Sequence, residues 1–165
     1  MKGNLTVYRF YIIALVLLNV GCDQISKGVV RENVKSRDYI ELVNDHLILT
    51  NVENTGAMLG FGANFPPVAK IILLQILPVM VLIVLLFRVL RKKTADTWLV
   101  LAFAFVIGGG MGNLIDRIFY GSVTDFFQIR LGIFKTGIFN MADVAVTCGV
   151  LLILLLSLSG KKLTI

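Results

Sequence analysis

Histidine occurs once in the 165 residues, at position 46, and cysteine twice, at 22 and 148. Those shortages exclude much of the common catalytic equipment. One imidazole and two thiols far apart in sequence offer no plausible zinc site. A serine triad lacks its base, because His46 has no obvious serine partner. Ser26 and Lys27 are adjacent, so on a helix they face different directions and make a poor dyad. Two cysteines are too few for a disulfide framework. The glycine run at 108–110 is not followed by the Lys-Ser/Thr that a nucleotide loop requires. Charge is scarce as well: 16% of residues, where a soluble domain carries roughly a quarter.

Apolar residues fill the space. They make up 57% of the chain, and the mean hydropathy is +0.86. The excess falls in four blocks, 7–22, 68–87, 98–112 and 144–158. With their flanks, each reaches the roughly 20 residues that a spanning helix needs. Helices are the natural spanning element, since lipid leaves no partner for free backbone groups. The expected fold is a mainly α membrane protein, a single polytopic domain with spans near 7–27, 68–88, 97–115 and 141–159. Segments 28–67 and 116–140 are expected to form a small extracytoplasmic, β-rich cradle. Residues 39–43 and 46–52 read as a hairpin about the Asn44-Asp45 turn, and Pro78 should kink the second span.

Charge gives the orientation. The N-terminus (Lys2, Arg9), the 88–96 link and the tail (Lys161, Lys162) hold eight of the sixteen basic residues but one of the ten acids. The positive-inside rule then puts both termini in the cytoplasm. This clustering also accounts for the pI near 9.6, with anionic lipid rather than nucleic acid as the partner. The stretch "LLNVGC" ending at Cys22 has the look of a lipoprotein signal. However, Asn19 stands where an aliphatic residue is usual, and three more spans follow.

Four acids lie at the expected outer boundary: Asp23, Asp116, Asp125 and Asp143. An ionisable group in a membrane segment costs about 2.5–3.5 kcal/mol at mid-bilayer and points to function. Asp116 has Arg117 beside it and Asp23 has Lys27 one turn on, so each is open to a structural explanation as an ion pair. Asp125 and Asp143 have no cation within four residues. Two carboxylates in one small desolvated site cannot both ionise, so they share a proton. Such a pair can activate water with one member and protonate a carbonyl oxygen with the other, cleaving a peptide bond without metal or cofactor. Two other classes compete. A proton-coupled transporter would use the acids as a relay, although no internal repeat is visible. In a scaffold without catalysis the same acids would merely cap helices.

Five stretches, "DQISK" (23–27), "NTGA" (54–57), "GGGMGNLIDR" (108–117), "VTDF" (123–126) and "FNMAD" (139–143), are together similar to the bacterial lipoprotein signal peptidase (signal peptidase II) family. The resemblance implies an intramembrane aspartyl endopeptidase of the bacterial inner membrane. It would remove signal peptides from prolipoproteins carrying a diacylglyceryl cysteine, working at the outer leaflet as a monomer among membrane lipids. It makes Asp125 and Asp143 catalytic. It gives Asp23, Lys27, Asn54, Gly56, Asn113, Asp116, Arg117 and Asn140 supporting or substrate-binding roles. Arg117 would either hold Asp116 or reach substrate backbone. Met58-Leu59 and Thr124 depart from the usual pattern without touching the pair.

Overall fold

The computed structural model describes residues 5–92 and 96–159. Lys2, Lys93, Lys161 and Lys162, which enter the charge argument, lie outside the described residues. Four helices are long and apolar enough to cross a membrane: α1 (Leu5–Asn33), α2 (Pro67–Arg91), α3 (Thr97–Tyr120) and α4 (Met141–Leu158). Even α4, with 18 residues, measures about 27 Å at a rise of 1.5 Å per residue. At 29 residues α1 is about 43 Å long, so it outreaches a hydrocarbon core of roughly 30 Å. Its extra turns carry Gln24, Lys27 and Arg31. Both α1 and α3 run past their expected span ends, 27 and 115, and Asp116 therefore sits in a helix rather than in a loop.

Local chemistry explains the helix boundaries. Pro67 occupies the first position of α2, where its missing N–H costs nothing. Pro78 cannot donate to the carbonyl one turn back, and the residues just before it, Ile72–Ile76, form a π-helical turn; such an interruption is a recognised cause of helix bending. The Asp96 side chain caps α3 by accepting from Trp98 N at 2.8 Å. Arg9 Nε donates to Leu90 O at 3.0 Å, tying α1 to the end of α2.

Helix α3 is the hub, and its glycines are the reason. Successive residues on a helix point about 100° apart, so three adjacent glycines let three neighbours approach. A Cβ on Gly108 would meet Asn19 of α1 at 2.6 Å, on Gly109 it would run into the Ala142 carbonyl of α4, and on Gly110 it would meet Leu82 of α2 at 2.9 Å. Small residues of this kind set helix contact in lipid. Below these contacts lies an apolar core that includes Ile12, Val16, Val89, Phe103, Ile107 and Leu156.

A four-stranded antiparallel sheet closes one end, ordered β1 (Ile40–Val43), β2 (Leu47–Asn54), β3 (Val123–Leu131), β4 (Phe134–Lys135). Asn44 and Asp45 take positive φ in the β1–β2 turn, as tight hairpins favour. The β2–β3 ladder pairs Val52 with Asp125 and Asn54 with Val123. Val30, Val34 and Phe126 form a second apolar cluster that seats the sheet on α1. Asn51 Nδ2 reinforces that joint by donating to Val34 O at 2.8 Å.

Close approach at Gly109 makes a contrast between two glycines testable. Gly109→Ala should lower the thermal midpoint in detergent, because its Cβ meets backbone and overpacking costs about 1–3 kcal/mol. Gly28→Ala, where nothing lies within 4 Å of the added atom, should leave it unchanged or raise it slightly.

Candidate active site

The polar residues of the helices meet the sheet in two connected layers. The inner layer is ionic. Asp23, Lys27 and Asp116 are each 0% exposed. Lys27 Nζ contacts Asp23 Oδ2 at 2.8 Å, Asp116 Oδ2 at 3.0 Å and Asn113 Oδ1 at 2.9 Å. All three ammonium protons are thereby used. Asp23 Oδ1 accepts from Ala142 N at 2.8 Å, which fixes the start of α4 to α1. Gln24 Nε2 donates to Asp116 Oδ1 at 3.0 Å and Arg31 Nη2 reaches Asp116 Oδ2 at 3.0 Å. Arg31 also stacks over Tyr120 and donates to Thr124 Oγ1 at 2.7 Å.

The outer layer is a chain of amides ending on the two remaining carboxylates. Asn113 Nδ2 donates to Asp143 Oδ1 at 2.8 Å. Asn140 Nδ2 donates to Asn113 Oδ1 at 3.0 Å and to Asp125 Oδ1 at 2.7 Å. The Asn140 oxygen accepts from Asp143 N at 3.0 Å, and Asn140 N donates to Asp143 Oδ2 at 3.1 Å. That reciprocal pair is a capping box at the start of α4. Asn54 Nδ2 donates to Asp125 Oδ2 at 3.0 Å, its own orientation set by Gly56 N on its oxygen at 3.0 Å. One side chain, Asn140, therefore holds Asp125 and Asp143 together, and an N–H donor reaches each of the four carboxylate oxygens.

Asp125 lies on β3 and is 5% exposed. Burial raises its pKa to about 6; the Asn54 hydrogen bond opposes the rise and the charge of nearby Asp143 adds to it. Among the described residues neither Asp125 nor Asp143 forms an ion pair. A cavity of about 630 Å³ opens beside Asp125, lined in part by Asn54, Leu59, Gln128, Lys135 and Gly137.

The structure brings together every residue expected at the site and decides one pairing that the sequence left open. Asp116 is held by Lys27 and Arg31, not by adjacent Arg117. Neighbours on a helix diverge, and the Arg117 guanidinium turns instead to Gly56 O at 3.0 Å and Asn113 O at 3.3 Å. Its Nε is buried and has no hydrogen-bond partner among the described residues. His46 is exposed in the β1–β2 turn, away from these groups. Gln24, Arg31 and Gln75 were not singled out from sequence. Arg31 continues the i, i+4 stripe of Asp23 and Lys27, a signal that was available. Gln75, a lone amide in an apolar span, donates to Arg117 O at 3.2 Å.

Four spanning helices with a polar, doubly acidic site where they meet a small sheet define a polytopic membrane enzyme fold. Two solved structures, both described as a bacterial membrane enzyme solved by the in meso method, at 2.3 Å and 1.9 Å resolution, match with TM-scores of 0.80 at 26% identity. The first covers 94% of both chains, the second 92% of this chain and 94% of its own. The family model described as signal peptidase (SPase) II matches residues 14–159. A lipoprotein signal peptidase of Syntrophus aciditrophicus (strain SB) is 30% identical over 148 residues, 90% of each chain. The chain belongs to the signal peptidase II family, whose peptidases cleave signal peptides from lipoproteins.

Cap and site can be separated at Asn140. Asn140→Ser keeps a helix cap but removes the amide donor, so its thermal midpoint should stay close to the original while peptide cleavage falls at least about tenfold. Asn140→Ala should lose the activity and about 1 kcal/mol of stability as well.

Proposed function

We propose that Asp125 and Asp143 are the catalytic pair of an aspartyl endopeptidase that hydrolyses the peptide bond preceding the diacylglyceryl-modified cysteine of prolipoproteins. The observation that carries this reading is the Asn140 side chain. It engages Asp125 directly and receives the backbone N–H of Asp143, while no cation pairs with either acid among the described residues. Acids placed for structure alone would be expected to have such a cation, as Asp23 and Asp116 do.

Asp143 stands in the first turn of α4, where the helix N-terminus complements a negative charge. It takes a proton from a water held between the carboxyl groups. Asp125, pushed up to about 6 by burial, carries the second proton and donates it to the scissile carbonyl oxygen as hydroxide adds to the carbon. The tetrahedral intermediate collapses when Asp125 recovers that proton and the proton on Asp143 passes to the departing amine. A new carboxyl terminus and the free amino group of the lipid-bearing cysteine result. The unpartnered Nε of Arg117 is free to hold a substrate carbonyl, and Asn54, bound to Asp125, borders the cavity that receives chain beyond the bond. Substrate acyl chains stay in the outer leaflet and hold the bond at the depth of the pair, which supplies most of the proximity advantage. Both termini then face the cytoplasm, anionic lipids contact the basic helix ends, and one copy of the chain suffices.

A capping role for Asp143 has support in its contact with Asn140 N, but capping needs neither Asn113 nor Asp125. The test is cleavage of a diacylated prolipoprotein by the reconstituted protein. Asp125→Asn and Asp143→Asn should each lose at least about 100-fold in rate with the helical signal retained, and chelators should have no effect. Either variant cleaving at full rate overturns the assignment. The pH dependence has a definite sign. Asp125 must be protonated to donate, so kcat/KM should fall as pH rises through about 6, measured from about pH 5 to about pH 8. A rate that instead increased over that interval would contradict the role given to Asp125.

A further inference from the structure

Lys27 touches neither member of the acid pair, yet its hydrogen bonds dictate how both are held. An ammonium can only donate, whereas an asparagine amide presents an acceptor on one side and donors on the other. Lys27 Nζ lies 2.9 Å from the side chain of Asn113, so the atom it meets there must be the oxygen. That choice turns Nδ2 of Asn113 onto Asp143 Oδ1 at 2.8 Å. The same oxygen receives Asn140 Nδ2 at 3.0 Å, which leaves the Asn140 oxygen for Asp143 N at 3.0 Å. Turning Asn113 over would set an amide oxygen against the carboxylate of Asp143 and an amide nitrogen against those of Asn140 and Lys27. All three contacts of the Asn113 side chain would become repulsive.

We propose that Lys27 is a positioning residue that fixes the polarity of the Asn113–Asn140 amide chain and so keeps N–H donors aimed at Asp143 and Asp125. The proposal rests on the reading of those acids as the catalytic pair. A simpler role also fits the geometry: Lys27 lies between two fully buried carboxylates, Asp23 of its own helix and Asp116 of α3, and neutralises them. The surroundings allow the two roles to be parted. Asp116 keeps Arg31 Nη2 at 3.0 Å and Gln24 Nε2 at 3.0 Å, and from β3 it receives Thr124 N. Asp23 keeps Gln24 Nε2 at 3.2 Å on Oδ2 and, from α4, the Ala142 N–H on Oδ1, which an asparagine oxygen can accept equally well.

The decisive variant is Lys27→Met combined with Asp23→Asn, which removes one charge of each sign and preserves the helix joint. Assayed on the reconstituted full chain, it should keep KM and lose at least about tenfold in kcat. Charge balance alone predicts the original kcat, and that result overturns the proposal. Asn113→Asp, with Lys27 intact, puts an oxygen where the amide nitrogen stood, so it should reproduce the slower kcat at unchanged KM. If the double variant does not fold, this one decides, and an unchanged kcat refutes the proposal. Asp143→Asn in parallel separates the two levels. Full activity there brings down the catalytic assignment itself, whereas an inactive Asp143→Asn beside an unaffected double variant brings down only the role of Lys27.

Discussion

Burying charge among apolar helices is the constraint on which this structure depends. An uncompensated ion in such a place costs several kcal/mol, and removing one partner of a buried pair costs about 3–5 kcal/mol. The chain meets that cost by saturation. Lys27 gives each of its protons to an acceptor, Asp23 and Asp116 each accept more than one donor, and Arg31 adds a second cation at the rim. Because the partners come from α1, α3 and the start of α4, satisfying the charges also sets the relative positions of the helices.

Close packing makes that arrangement reachable. Bulkier residues at Gly108, Gly109 and Gly112 would hold α1 and α4 away from α3, and Gly112 itself lies against Asp23 Oδ2. The sheet completes the enclosure from the other side. β2 delivers Asn54 and β3 delivers Asp125 through one antiparallel ladder, while the apolar cluster around Phe126 anchors both to α1. The two acids thus come from a strand and a helix start, elements of different kinds joined through Asn140. The family cleaves signal peptides from lipoproteins, and the proposed active site lies within this enclosure.

Much of this was legible in the residues. Apolar blocks of spanning length marked the helices, and Asn44-Asp45 marked the hairpin. The lack of a local cation distinguished Asp125 and Asp143 from Asp23 and Asp116. What sequence could not give was direction in space. Adjacent Asp116 and Arg117 left a pair open, yet helical geometry sends them to different partners. The extra turns of α1 and α3 carry polar residues, so hydropathy ended the spans early although the hydrogen-bond ladder continued. Gln75 drew no attention in the sequence; it lies within the π-helical turn ahead of Pro78 and donates to Arg117 O. Thr124, noted only as an unusual residue, proves to link Arg31 with Glu53 of β2.

The central claim is that two acids, held by amides and in no ion pair among the described residues, act on one and the same atom. A structure with a non-cleavable prolipoprotein analogue, carrying a secondary hydroxyl in place of the scissile carbonyl and a diacylglyceryl cysteine after it, tests that most directly. The account predicts the hydroxyl within hydrogen-bond reach, about 3 Å, of both Asp125 and Asp143. A hydroxyl contacted by only one of them, or by neither, would contradict it.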